Sequence, residues 1–382
     1  MIDLALSRAQ LTVREKLWQI HWLFVLLLVA TACVGFAMQY SAADGRLEPW
    51  ALRHGVRFAA GLAVMIGVAV IDIRIWLRYA YAIYLAVLLL LGAVELGGYM
   101  GMGARRWLDL GFVTIQPSEM MKIAMVLALA RYFHGGSLED IRRPTFLVAP
   151  LLLAAAPTAL VLRQPDLGTA VILVITAAAL MFLAGVRLWK FAVLGLMGLL
   201  ATPVAWNLLH DYQRRRVLTF LDPESDPLGA GYHIIQSKIA FGSGGLSGRG
   251  FMQGTQGHLS FLPEMQTDFI FTMLAEEFGL VGSLALLGLY AVMLIYGVAI
   301  SLRARSHFGR LLGMGVTVTF FLYVFINMAM VMGVIPVVGV PLPLISYGGT
   351  AMLTLLFGFG LLMGVWVHRD LPIGRHGAAA DD

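Results

Sequence analysis

Apolar residues run along this chain in blocks too long and too unbroken for a soluble fold. Ten such blocks recur, at roughly 23–40, 57–72, 78–97, 117–133, 146–163, 167–186, 188–209, 268–300, 309–334 and 347–367. Most are close to the ~20 residues that carry a helix across a ~30 Å hydrocarbon layer; the second and fourth are short and the eighth is long. All are longer than a barrel strand of roughly 10 residues. Inside hydrocarbon every backbone amide must be paired within the protein, so blocks of this length are helices. The pattern predicts an all-α polytopic membrane protein, a single integral domain over residues 1–382. Residues 1–22 form a short N-terminal segment, 210–267 a large loop between the seventh and eighth spans, and 368–382 a polar tail.

Charge gives this pattern a direction. Lys16, Arg74, Arg78, Arg131, Arg142, Arg143, Arg187, Lys190, Arg303, Arg305, Arg310 and Arg369 sit between spans on one side, together with Arg8, Arg14 and Arg375 in the terminal segments. The positive-inside rule makes that side cytoplasmic, with both termini. The 210–267 loop then faces outward, which excludes a cytoplasmic nucleotide such as ATP as direct substrate. Arg105, Arg106, Arg163, Arg214, Arg215, Arg216, Lys238 and Arg249 lie on the opposite side, against the rule. They read either as sites for an anionic ligand or as headgroup anchors.

Composition narrows the classes further. Apolar residues make up 59% of the chain and charged residues 13%, against about 25% charged in an ordinary soluble domain. The surplus of cations belongs to membrane edges, and no soluble basic domain exists to bind nucleic acid. A single cysteine, Cys33, permits no internal disulfide; a small buried hydrophobe is its expected role. The first apolar block is long enough to remain an anchor rather than a cleaved signal.

Several polar constellations interrupt the apolar blocks. Asp268 stands where the large loop gives way to the eighth span. Thr267 or Asp268 there is a natural helix N-cap. With Glu264 four residues upstream and the Pro263 turn between, Asp268 is equally a candidate general base at a lipid–water boundary. Glu119 and Lys122 are three apart at the start of the fourth span, so they share a helix face and can pair. Such a pair serves function or fixes helix packing. Asp166, after Arg163-Gln164-Pro165, is placed to cap the sixth span or to meet a cation or sugar hydroxyl.

The run Gly242-Ser243-Gly244-Gly245-Leu246-Ser247-Gly248-Arg249-Gly250 lacks the Lys-Ser/Thr pair of a phosphate-binding loop. It reads as backbone that approaches a ligand closely, preceded by a short interfacial helix carrying Lys238 over Tyr232–Ile239. Three prolines and three glycines from Pro336 to Gly349, with Ser346 among them, predict broken helix lining a cavity. Asn327 and Glu276 are further polar groups inside spans. No histidine cluster or HExxH signals a metal. A Mg or Mn ion held by a diphosphate and one or two carboxylates stays open as a cofactor.

In this order on ten spans, the motifs resemble the SEDS family (shape, elongation, division and sporulation). The resemblance rests on Gly103-Ala104-Arg105-Arg106-Trp107, Gln116-Pro117-Ser118-Glu119, Gln164-Pro165-Asp166-Leu167-Gly168-Thr169-Ala170, the 220–250 run, Phe261-Leu262-Pro263-Glu264, Thr267-Asp268-Phe269-Ile270-Phe271 and the 341–349 run. Pro336-Val337-Val338-Gly339 looks like the elongation branch rather than the division branch. The resemblance implies a peptidoglycan glycosyltransferase of the bacterial inner membrane. Such an enzyme polymerises lipid II on the periplasmic side and works with a class B penicillin-binding protein in the elongation machinery.

Asp268 matches the family's catalytic acid. Ser260 stands where the family commonly has Glu, which makes Glu264 the better supporting acid. Arg105, Arg106, Lys238 and Arg249 become candidates to neutralise a diphosphate, with Glu119, Lys122, Asp166, Glu264 and Ser346 as further substrate-binding candidates. Two other classes fit the same spans: a flippase for lipid II, using broken helices for alternating access, and a non-catalytic scaffold for the crosslinking enzyme.

Overall fold

The computed structural model describes residues 12–101, 104–109, 111, 114–208, 214, 218–222, 230–255 and 264–374. Each of the ten apolar blocks is helical. Ahead of them comes α1 (Val13–Gln19), closed by a capping box between Thr12 and Glu15. The bundle follows: α2 (Trp22–Ala42), α3 (Ala51–Val70), α4 (Ile73–Gly97), α5 (Pro117–Gly135), then the short α6 (Leu138–Arg142), α7 (Val148–Arg163), α8 (Leu167–Leu183) and α9 (Leu188–Leu208). After the long connection come α10 (Ala230–Ser243), α11 (Ile270–Arg303), α12 (His307–Val331) and α13 (Gly349–Val367).

The helices sort by burial. α5, α12 and α13 are buried almost all round and form the centre. α5 packs on α4, α7, α8, α12 and α13, while α13 packs along α3. Outer helices turn large apolar side chains outward, among them Leu89, Leu152, Leu199, Leu200, Val281 and Ile295. An apolar exterior around a helical centre suits hydrocarbon rather than water. Seven helices, α2, α3, α4, α7, α11, α12 and α13, are long and apolar enough to cross a membrane, and α8 and α9 contribute shorter apolar stretches. The protein is a multi-pass membrane protein with an all-α bundle.

Side-chain contacts define the two ends of that bundle. At one end Lys16 Nζ donates to the Val70 carbonyl, Arg131 to Arg78, and Lys190 to Ile141 and Arg142, all carbonyls at or near helix termini. Cations beside exposed helix C-termini also complement the helix dipole. The other end gathers the connections α2–α3, α4–α5, α7–α8, α9–α11 and α12–α13.

The structure departs from the sequence reading in four places. A three-stranded antiparallel sheet, β1 (Tyr99–Gly101), β2 (Ala104–Asp109) and β3 (Thr114–Ile115), stands between α4 and α5, where no strand was expected. The second span starts earlier than expected, at Ala51. The long eighth span is not one helix: α11 breaks at Gly279, whose φ of 63° and ψ of −157° lie outside helical space. Cys33 is exposed on α2 rather than buried, which in an apolar exterior is an ordinary lipid-facing position.

Candidate active site

Two turns meet at the end of the bundle that carries the long connections. One is 264–269, just ahead of α11; the other is 336–348, between α12 and α13. Glu264 takes a left-handed φ of 57°, and its carbonyl accepts from the amides of Thr267 at 3.0 Å and Asp268 at 3.2 Å. Thr267 Oγ1 donates to Glu264 Oε2 at 3.1 Å. The helix begins only at Ile270, with Phe269 in the N-cap position and no side chain capping from it. Neither Thr267 nor Asp268 holds the cap position that their residue types suggested.

Four residues stitch the two turns together. The Tyr347 amide donates to the Gln266 carbonyl at 2.8 Å. Ser346, buried, donates to the Thr267 carbonyl at 2.6 Å and accepts from the Leu342 amide at 2.7 Å. Asn327 Nδ2 donates to the main-chain oxygens of Asp268 at 3.1 Å and Val340 at 2.7 Å. Gln39 Nε2 donates to those of Gln266 and Ile345, both at 2.9 Å. Asp268 itself is half-buried. Gly339 passes beside it with a φ of 72°, so close that a Cβ there would lie 3.4 Å from Asp268 Oδ2. The broken-helix expectation for this proline- and glycine-rich stretch is met.

Directly beneath lies a sealed ionic cluster. Lys122 Nζ is 2.7 Å from Glu119 Oε1 with both side chains buried, as the spacing of three predicted. Tyr323 on α12 donates its hydroxyl to the other Glu119 oxygen, and Lys122 Nζ sits 4.2 Å above the Tyr323 ring. One helical turn along α12 is Asn327, which reaches the Asp268 turn. Asp166 caps α8: Oδ1 accepts from the Thr169 amide at 3.2 Å and Oδ2 from Thr169 Oγ1 at 3.0 Å and Gln116 Nε2 at 3.3 Å. The next residue but one, Gly168, abuts the Val338 carbonyl, 2.9 Å from where a Cβ would be. The start of α8 therefore touches the same turn that passes Asp268.

The cations are placed less uniformly. Arg106, half-buried on β2, donates through Nε to the Gln164 carbonyl at 3.0 Å and through Nη2 to that of Pro165, tying the sheet to the α7–α8 turn. Arg105 pairs through its backbone with Met100. Lys238 and Arg249 are exposed, and Arg249 Nη1 donates to Thr255 Oγ1 at 2.9 Å. Lys238 rides on α10, which is fastened from its other side: Ser237 Oγ donates to the Val331 carbonyl at 2.7 Å and lies 3.0 Å from Thr272 Oγ1. Arg215, Arg216, Ser260 and the Phe261-Leu262-Pro263 motif lie outside the described residues.

The glycine-dense run lies along the break in α11. The amides of Arg249 and Gly250 donate to the carbonyls of Glu276 and Glu277, both at 3.0 Å. The amides of Leu280 and Val281 donate back to Gly245 and Leu246 at 3.0 and 3.1 Å. A Cβ on Gly248 would come within 2.1 Å of the Glu277 carbonyl, so backbone meets backbone with no room for side chains. Glu276, fully buried, accepts from the Thr255 amide at 2.7 Å. These contacts satisfy the amides and carbonyls that a broken helix exposes.

Among the described residues no group of three or more His, Cys, Asp or Glu side chains stands together as a metal site. Sequence reasoning did not single out Gln39, Tyr323 or Arg57, whose guanidinium stacks 4.6 Å over the Tyr347 ring. The signal for Tyr323 was available: with Asn327 it makes an i, i+4 polar stripe on an otherwise apolar helix.

Comparison with known proteins agrees with this architecture. The family model described as cell cycle protein, FtsW/RodA/SpoVE, matches residues 16–371. The chain is 45% identical over 349 residues to the peptidoglycan glycosyltransferase MrdB of Escherichia coli (strain K12), covering 91% of this chain and 94% of that protein. It is 37% identical over 353 residues to a probable peptidoglycan glycosyltransferase FtsW of Geobacter metallireducens, covering 89% and 93%. Among solved structures it resembles a chain of a peptidoglycan synthase complex that coordinates polymerization and crosslinking, with TM-score 0.80 and 35% identity over 92% of this chain and 98% of that one. It also resembles the rod shape determining protein RodA of Thermus thermophilus, with TM-score 0.70 and 29% identity over the same shares. The chain belongs to the FtsW/RodA/SpoVE family of cell cycle proteins, the SEDS family that its motifs resemble.

Proposed function

We propose that this protein is a peptidoglycan glycosyltransferase that polymerises lipid II during cell elongation, with Asp268 as the general base. The observation that carries the assignment to Asp268 is its setting. It is a half-buried carboxylate on a turn fastened at four points, beside a glycine that leaves space at its oxygen. The acceptor is lipid II with a free sugar 4-hydroxyl, and the donor is a glycan on undecaprenyl diphosphate. The acceptor oxygen attacks the donor's anomeric carbon and its proton passes to Asp268. The bond from that carbon to the diphosphate breaks, and the diphosphate leaves on its lipid. One displacement turns an α-linked diphosphate into a β-glycoside, following the logic of an inverting glycosidase. The leaving group needs neutralisation rather than a protonating acid, and Arg105, Arg106, Lys238 and Arg249 are the cations assigned to it. Glu264 supports the turn, while Glu119, Lys122, Asp166 and Ser346 hold the floor beneath the substrate. Among the described residues no cluster stands ready for a Mg or Mn ion; were one bound, the diphosphate would supply most of its ligands.

The setting of the molecule follows from the same charges. The end rich in Lys and Arg is cytoplasmic, with the N-terminal segment 1–22 and the tail 368–382. The 210–267 loop and Asp268 then face the periplasm from the inner membrane, on ten crossings of one membrane domain. The likeness to a chain of a synthase complex supports a class B penicillin-binding protein as partner. The test is polymerisation of lipid II by Asp268→Asn protein in liposomes with that partner. The variant should insert normally and make glycan at least about 100-fold more slowly. Near-normal glycan from it would instead favour a flippase or a scaffold.

A further inference from the structure

Two buried carboxamides carry more of this site than their place in the sequence suggests. Gln39, near the end of α2, is fully buried, and its Nε2 donates to Gln266 on the Asp268 turn and to Ile345 on the facing turn. Asn327, near the end of α12, is also fully buried, and its Nδ2 donates to Asp268 and to Val340. The arrangement is the same twice: one NH2 group, two hydrogens, one carbonyl on each turn. A hydroxyl has a single hydrogen to give, and an ammonium would bring a buried charge; only a planar amide reaches two separate carbonyls without either drawback. Both side-chain oxygens, Gln39 Oε1 and Asn327 Oδ1, are buried with no hydrogen-bond partner among the described residues. Buried acceptors without partners oppose folding, so these amides are present for their donors. The assignment of nitrogen rather than oxygen to the carbonyl side follows from the same network, since an oxygen facing two carbonyls would repel both.

We infer that Gln39 and Asn327 are positioning residues of the transferase, which fix the Asp268 turn against the 340–345 turn and so set where the carboxylate stands. The inference rests on Asp268 as the base. Neither amide touches substrate. Each acts through main-chain oxygens, one of them belonging to Asp268 itself and the other two residues before it. A general base works only within hydrogen-bond reach of the proton it removes, and a displacement of ~1 Å can cost roughly 100-fold in rate.

The experiment compares full-length Asn327→Leu, Asn327→Asp, Gln39→Leu and Gln39→Glu with the parent and with Asp268→Asn. All are assayed in liposomes with lipid II and the crosslinking partner. The expected result is a fall in kcat of about 10- to 100-fold for the Leu variants, with KM for lipid II within about two-fold of the parent. The isosteric acids keep one donor when protonated in this buried setting, so they should lie between. Melting temperatures in detergent report folding separately, and the acids serve as the readout if a Leu variant does not fold. An inactive Asp268→Asn alongside fully active Asn327→Asp and Gln39→Glu, or losses confined to KM, would overturn the positioning role. Near-parental activity in Asp268→Asn would overturn the reading beneath it, a result distinguishable because it appears in the control.

Discussion

Glu119 and Asp268 lie at the same end of the bundle and are linked through one helix, α12, yet their surroundings differ in almost every respect. Glu119 is 4% exposed, with one oxygen on Lys122 and the other on Tyr323. Asp268 is half-buried on a turn whose main chain, not its carboxylate, is tied down by Asn327. A carboxylate committed on both oxygens in a dry interior is a structural charge: desolvation and pairing nearly offset, and what the pair supplies is geometry. A half-buried carboxylate on a turn whose backbone is fixed keeps contact with its surroundings and can exchange a proton. The contrast fits a division of labour in which the sealed cluster stiffens the floor and the half-buried acid, under the proposed mechanism, takes the proton.

Substitutions can break that contrast, and the largest effect should fall on activity alone. Asp268→Asn should lower glycan synthesis by roughly 10²–10⁴-fold, the usual share of a general base, with an unchanged melting temperature in detergent. Lys122→Met should do the reverse in kind: it leaves Glu119 buried without its cation and should cost about 3–5 kcal/mol of stability. Adding Glu119→Gln to it should restore much of that loss in thermal unfolding. If Lys122→Met proves as stable as the parent, the sealed cluster is not a structural charge pair and the contrast fails. Gly339→Ala should cost about 1–2 kcal/mol because its φ is left-handed, while its new methyl group would lie against Asp268 Oδ2 and occupy space beside the carboxylate. Its polymerisation rate should therefore fall more than its melting temperature suggests. The mildest change is Asp166→Ala, which removes a helix cap and should cost about 1 kcal/mol. A drop in lipid II affinity well beyond that would give Asp166 a direct part in binding.

The helices were legible because hydrocarbon leaves the backbone no alternative, so an apolar block of sufficient length is already a helix. The break in α11 was not. Gly279 sits between Phe278 and Leu280 in a largely apolar block, and a lone glycine in such a block is compatible with continuous helix. Its conformation comes from Gly244–Gly250, which the chain brings against it from the large loop. The sheet between α4 and α5 escaped for a different reason: strands of 3, 6 and 2 residues are too short to display an alternating pattern. At the site, Asp268, Glu119, Lys122 and Asp166 could be picked out because ionisable groups beside or within apolar blocks are rare. Whether Asp268 capped a helix could not be read, since that depended on a turn held by partners from distant segments. Gln39 left no signal at all, because a single glutamine at the edge of an apolar block looks like an ordinary interfacial residue.

The interruption at Gly279 also bears on depth. A straight rod of the 34 residues in α11 would measure about 51 Å, far more than a ~30 Å hydrocarbon layer. The portion from 280 to 303 measures roughly 36 Å, which fits with modest tilt. The preceding piece, 270–278, is thereby freed to run at another angle, and Asp268, at its far end, stands at a level set by the rod below it. A protein built this way should sense the thickness of the lipid around it: acyl chains too long or too short would raise or sink its working group relative to the headgroups where its substrate's phosphates float.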